Sequence, residues 1–92
     1  MYIHLGQSTV VLEQEIVGIF DLDTTTVSKN SREYLNRAEK AGEVFNVSYE
    51  LPKSFVVCQK EKGRQTVYIS QISSATLQKR TVKRKTNLPE EL

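Results

Sequence analysis

The chain has 92 residues, of which 38% are hydrophobic and 26% charged, with two prolines and a formal net charge of +2. That length leads to the expectation of one domain burying about 60 to 65% of its unfolded surface, with no room for a second, and the composition is that of an ordinary soluble globular chain rather than a disordered or fibrous one. Cys58 is the only cysteine, so no disulfide forms within the chain and a reducing cytoplasm is the expected setting.

From the N-terminus, Ile3 and Leu5, then Val10 and Leu12, flank Gly6-Gln7-Ser8 and predict two short strands joined by a tight turn, with Gly6 free to take positive φ. Met1-Tyr2-Ile3-His4-Leu5 lacks the basic stretch and apolar core of a signal peptide, and no apolar run approaches the ~20 residues of a membrane span. A soluble, cytoplasmic protein with no membrane partner is expected. Ile16-Val17-Gly18-Ile19-Phe20 is rich in β-branched and aromatic residues and reads as a central strand, Gly18 marking a bulge or the close approach of another group. Asp23-Thr24-Thr25-Thr26 favours local side-chain to backbone hydrogen bonds and reads as a loop or cap. Val27, Tyr34, Leu35, Ala38 and Ala41 recur at near-helical spacing, with Ser28 or Asn30 to cap the start and Gly42 the end, and predict the one long helix.

Val44, Phe45 and Val47 predict a short strand. Tyr49-Glu50-Leu51-Pro52 follows as an irregular connection, because proline offers no N–H to a ladder and pushes Leu51 towards extended geometry. Ser54 to Gln59 and Gln65 to Ser70 flank the polar loop Lys60-Glu61-Lys62-Gly63-Arg64 as a hairpin, with Val67 and Ile69 on one side of its second strand and Thr66, Tyr68 and Ser70 on the other. Ser73 or Ser74 caps a C-terminal helix beginning near Ala75, and residues 87–92 read as a frayed tail. The expected fold class is α+β: a small antiparallel sheet of about five to six strands packed on one main helix, with a short C-terminal helix. Residues 1–82 form the single domain, and 83–92 a basic then acidic tail, partly disordered.

Little in this chain points to catalysis. His4 is the only histidine, alternates outward from Ile3 and Leu5, and has no partners at the spacing of a triad or a metal site. Cys58 lies in the apolar run Phe55-Val56-Val57-Cys58, where a thiol behaves as a small apolar side chain. Asp21 and Asp23 stand two apart at a strand end, a spacing more usual for capping a turn than for holding a cation. The glycines are scattered singly, so no phosphate-binding loop exists. No enzyme activity, cofactor or metal is expected.

The charge, by contrast, is organised. Residues 1–52 carry four cations against eight acids, and residues 53–92 nine cations against three acids, so the halves stand at −4 and +6. Such a split suits a polyanionic partner and equally suits head-to-tail self-association. The segment Ser73-Ser74-Ala75-Thr76-Leu77-Gln78-Lys79-Arg80-Thr81-Val82-Lys83-Arg84-Lys85 holds five cations and no acid. In a helix, Lys79 with Lys83 and Arg80 with Arg84 stand at i,i+4 and share a face roughly 140° wide, with Ala75 and Val82 opposite to seat it and Leu77 on the wrong side. Read as a polyanion site, five neutralised phosphates give a salt slope of about −4.5 without base reading; read plainly, the segment is a solvated end.

The opening residues 1–22, the phrase Leu51-Pro52-Lys53-Ser54-Phe55-Val56-Val57 and the ending from Val67 to Arg80 together resemble the RemB-type members of the RemA/RemB family of extracellular matrix regulatory proteins of Firmicutes, over roughly residues 1 to 80. The resemblance implies a cytoplasmic regulator of biofilm matrix genes whose RemA-like relatives bind DNA as ring-shaped oligomers presenting basic residues along the ring. It also implies departures. The loop that carries a pair of DNA-contacting arginines in the RemA-like branch is Glu50-Leu51-Pro52-Lys53 here, with only Lys53 basic, and a further arginine of that branch falls on Glu15. The site expected from charge is therefore Lys53, Lys79, Arg80, Lys83 and Arg84. The alternative is a ring-forming interaction module, paired with a RemA-like partner, that has lost direct DNA binding.

Overall fold

The structure, a computed structural model, describes residues 1–22 and 29–86, and the side chains of all of these except residues 62 and 82–86. The threonine loop at 23–26, Val27, the Ser28 cap, Asp23 and the tail at 87–92 lie outside the described residues.

Three layers form around a four-stranded sheet. Strands β1 (Tyr2–Gly6) and β2 (Thr9–Leu12) make a hairpin whose turn has positive φ at Gly6 and Gln7. A single 3-10 turn leads into β3 (Ile16–Asp21); α1 (Lys29–Lys40), β4 (Val44–Asn46), β5 (Ser54–Gln59), β6 (Gln65–Ser70) and α2 (Ser74–Thr86) follow. The sheet order is β3-β5-β6-β4, with β5 antiparallel to both its neighbours and β4 parallel to β6.

Strand β5 is central and buried on both faces, which explains its unbroken apolar run. Because side chains alternate, Phe55 and Val57 turn to one side and join Val67, Ala38, Tyr34 and Leu35 beneath α1. Val56 and Cys58 turn to the other and join Ile3, Leu5, Val11, Val47 and Leu77, supplied by the hairpin, the β4–β5 connection and α2. At one end of the sheet Ser54 pairs with Ser70, and both are fully buried. The Ser54 hydroxyl donates to the Ile72 carbonyl (2.8 Å), and that of Ser70 donates to the Leu5 carbonyl (2.7 Å) while accepting the Ile72 N–H (3.0 Å). Two buried hydroxyls thus tie β1 and the approach to α2 onto the sheet, where unpaired they would cost about 1–3 kcal/mol each.

The local chemistry follows the sequence at several points. The strands flanking the Lys60–Arg64 loop have the expected limits, and Val67 and Ile69 face α1 while Tyr68 faces the other cluster. The pairing of β3 slips between Ile16 and Gly18, and the Phe20 ring lies where a side chain at 18 would stand. Helix α1 ends in paired caps, Gly42 N–H to the Glu39 carbonyl (3.0 Å) and Glu43 N–H to the Ala38 carbonyl (2.9 Å), with Gly42 at φ 73. Ser73 caps α2 by accepting the Thr76 N–H (3.2 Å).

Five expectations are corrected. The strands form a two-stranded and a four-stranded sheet, not one sheet of five or six. The larger sheet is mixed rather than antiparallel, because α1 carries the chain back across the sheet between β3 and β4, and strands joined by such a crossover run the same way. The C-terminal helix is not short: with 13 residues it is slightly longer than α1, with 12. It is seated by Leu77, fully buried, while Ala75 is exposed; burying a leucine is worth about 1.5–3 kcal/mol, far more than an alanine methyl. In the hairpin Val11, opposite Ile3, faces inward, and Val10 is half exposed.

Candidate nucleic-acid interface

Helix α2 contains no acidic residue, and docking through Leu77 leaves the positions two and three further on at the surface. Lys79 and Arg80 are both exposed. The Arg80 guanidinium donates through Nη1 to the His4 carbonyl of β1 (2.6 Å), which pins the side chain against the hairpin and leaves its other N–H groups for an anion. Lys83 and Arg84 follow one helical turn beyond Lys79 and Arg80, and their side chains lie outside the described residues. Cations crowded at i,i+4 spacing repel by about 0.2–0.5 kcal/mol per pair, partly offset by the favourable position of positive charge near a helix C-terminus.

Lys53 is exposed and immediately precedes β5, its backbone held on both sides: its N–H donates to the Ser70 carbonyl and its carbonyl accepts the Leu22 N–H, each at 2.8 Å. That is the end of the sheet where α2 begins. With a rise of 1.5 Å per residue, Lys83 stands about 14 Å along the axis from Ser74. The five predicted cations are therefore arranged along α2 with Lys53 near its start, rather than gathered at one point.

Glu15, where the resemblance places an arginine, lies at the other end of β5. Its carboxylate accepts from Lys60 Nζ at 3.1 Å, both side chains being about a quarter exposed. The ammonium also lies 5.3 Å from the centre of the Tyr68 ring. Burial works to lower the Lys60 pKa, but hydrogen bonds to Tyr68 and Glu15 outweigh it and raise it above its ordinary value. Glu15 is thus an acid already paired with a lysine of its own chain. A groove of about 1110 Å³ beside β4 brings Glu15, Glu43 and Glu61 together with Lys60 and Arg64, a near balance of charge that gives no preference for a polyanion.

His4 is exposed and its ring Nε2–H donates to the Gln7 carbonyl (2.6 Å). Cys58 is fully buried, and burial pushes its thiol up to about 11. Among the described residues no three His, Cys, Asp or Glu side chains converge as a metal site.

One feature escaped sequence reasoning. Val17 and Phe20 of β3, Phe55 and Val57 of β5 and Tyr34 of α1 line an apolar cleft of about 340 Å³, edged by Asn30, Ser31 and Gln65. Tyr34 is fixed there by donating to Gln65 Oε1 (3.0 Å), and Phe20 stacks on Phe55 at 4.9 Å. Four separate elements contribute, so no local pattern announces the cleft; the one signal is an apolar strand that turns out to lie at a sheet edge.

Comparison with known proteins agrees with the resemblance read from residues 1 to 80. A family model described as "Extracellular matrix regulatory protein A-like" matches residues 2–81. Extracellular matrix regulatory protein B of Bacillus subtilis (strain 168) is 42% identical over 80 residues, covering 87% of this chain and 89% of the relative. With its whole described fold inside the matched span apart from the last turns of α2, this chain belongs to the RemA-like family of extracellular matrix regulatory proteins.

Proposed function

We propose that this chain is a non-enzymatic, cytoplasmic regulator of biofilm matrix genes that binds duplex DNA through backbone phosphates and does so as a homo-oligomer, with ring closure as the expected form. The observation that carries this reading is the acid-free helix α2, seated by Leu77 so that Lys79 and Arg80 face solvent, with Lys53 near its start. Phosphate contacts of this kind position a duplex without reading bases, and each copy grips weakly. Linked copies raise the effective concentration of every next contact, so repetition supplies the affinity.

Titration of labelled duplex at two salt concentrations tests this with the intact chain and with Lys79, Arg80, Lys83 and Arg84 all changed to Ser. The intact chain binds at low salt, weakens steeply at high salt, and loses binding with the four changes. No binding by the intact chain at low salt refutes the DNA reading.

A second reading, an interaction module that pairs with a RemA-like partner and does not touch DNA itself, draws support from the β4–β5 connection. Tyr49 and Leu51 are largely exposed where a DNA-contacting loop would carry cations. Under that reading the chain binds the partner and leaves free duplex alone.

A further inference from the structure

The N-terminal hairpin shares one property with α2. Residues 1–12 hold no acid, although residues 1–52 carry eight, and α2 holds none either. The two elements cover the same face of the sheet, where Ile3, Leu5 and Val11 of the hairpin and Leu77 of α2 join one buried cluster. Arg80 links them directly, its guanidinium donating to the carbonyl of His4 (2.6 Å). Alternation that buries Ile3 and Leu5 turns Tyr2 and His4 outward, and both are exposed, as are Lys79 and Arg80. His4 therefore stands beside the cations of the basic helix, on an element as free of acids as the helix itself.

The hydrogen bonding of the His4 ring fixes where a further proton goes. A carbonyl oxygen only accepts, so the contact with Gln7 (2.6 Å) keeps a proton on Nε2 whatever the charge of the ring. A neutral ring then leaves Nδ1 as a bare acceptor, which a phosphate oxygen avoids, whereas a second proton at Nδ1 makes it a charged donor. Histidine is the side chain that ordinarily makes this change between pH 5 and 8. Arg80 faces His4 from α2, with Lys79 next to it on the helix, while Tyr2 and Val10 neighbour it on the hairpin. The first acid of the chain, Glu13, stands at the far end of the hairpin from the turn, where its N–H donates to the Met1 carbonyl (2.8 Å). A phosphate is the counter-charge that such a surroundings favours.

We infer that His4 is a further phosphate-contact residue, so that the duplex lies across α2 and the hairpin together and its binding takes up a proton at Nδ1 of His4. The inference rests on the DNA-binding part of the function proposed above and is independent of assembly. The proton comes from solvent and passes to Nδ1, and the new N–H donates to a phosphate oxygen. Since phosphate favours the protonated ring, the contact is present at low pH and is lost as pH rises, and affinity for the duplex falls with it.

The test measures log affinity against log salt for one labelled duplex at pH 8 and at pH 6, with the full chain and with His4→Gln and His4→Arg. Position 4 is exposed and both replacements keep an N–H donor, so unchanged circular dichroism and urea midpoints are expected and establish that the variants fold. For the full chain the slope should steepen by about 0.9, from about −4.5 at pH 8 towards about −5.4 at pH 6, with affinity rising several-fold. His4→Gln should stay close to the shallower slope at both pH values, and His4→Arg, a permanent cation, should show the steeper one at both. An amino terminus also changes charge in this range, so the difference between the full chain and His4→Gln decides, not the pH effect alone. A pH effect that His4→Gln retains in full, or a His4→Arg chain that binds no better than His4→Gln at pH 8, overturns this contact and leaves the DNA reading standing. A full chain that binds no duplex at low salt at either pH removes the DNA reading and this contact with it.

Discussion

Replacing Leu77 by alanine measures how firmly the basic helix is held. Leu77 has no solvent exposure and packs among Ile3, Leu5, Val11, Val47, Val56 and Cys58, a cluster drawn from every layer on that side of the sheet. Truncation removes three carbons, worth about 2.4 kcal/mol at ~0.8 kcal/mol for each buried methylene, and the cavity left behind raises the cost to about 3–4 kcal/mol. A 92-residue domain has roughly 5–14 kcal/mol of stability, so the variant still folds but with much of its margin gone. Urea unfolding followed by far-ultraviolet circular dichroism reads this directly. With a slope near 2 kcal/mol per molar, the midpoint should fall by about 1.5–2 M at unchanged slope. Ala75→Ser, at the exposed position the sequence offered as the seat, should cost about 0.5 kcal/mol or less. A Leu77→Ala cost below about 1 kcal/mol, or an equal cost at Ala75, would refute the placement of α2.

Three further outcomes follow from the same geometry. Cys58, buried and with its thiol raised to about 11, should resist a disulfide reagent at pH 8 in the native protein and react at once in urea; fast native labelling would contradict its place in the core. The raised Lys60 pKa stabilises the fold fully below the unfolded value of 10.5 and fades as pH rises through the folded value. Lys60→Met should therefore cost below about 1 kcal/mol at pH 8, with the difference shrinking as pH rises beyond the ordinary lysine value of 10.5, as urea melts on either side of it would show. Gly6→Ala should destabilise by about 1–3 kcal/mol in thermal melts, since φ is 125 there and a Cβ would stand 2.8 Å from Gln71 Oε1; a neutral result would contradict the turn geometry.

Sequence carried most of the local structure because its causes are local. The β5–β6 hairpin followed from two apolar runs around a glycine-containing polar loop, and the end of α1 from Gly42. What escaped it depends on distant partners. Nothing within Val44-Phe45-Asn46 says that its neighbour is β6, running parallel, since that pairing is set by the crossover through α1. Val10-Val11-Leu12 offers three apolar residues in a row, so alternation does not choose the buried one; pairing with Ile3 does. Leu77 falls on the wrong side only when the helix is oriented by its cationic face, with Ala75 and Val82 opposite; burial of the larger leucine side chain sets the orientation instead. In the candidate site, exposure of Lys53, Lys79 and Arg80 could be anticipated from charge. The Arg80 contact with the His4 carbonyl, 76 positions away, could not.

The proposed function requires that phosphate contacts from the acid-free helix hold the duplex. Its most direct test is the slope of log affinity against log salt for one duplex, measured with the unaltered chain and with Lys79, Arg80, Lys83 and Arg84 changed to Ser one at a time. Five contacts per bound copy give a slope of about −4.5, and each single change should make it shallower by about 0.9 while lowering affinity alike on unrelated sequences. A slope near zero, or one that none of the four changes alters, would contradict it.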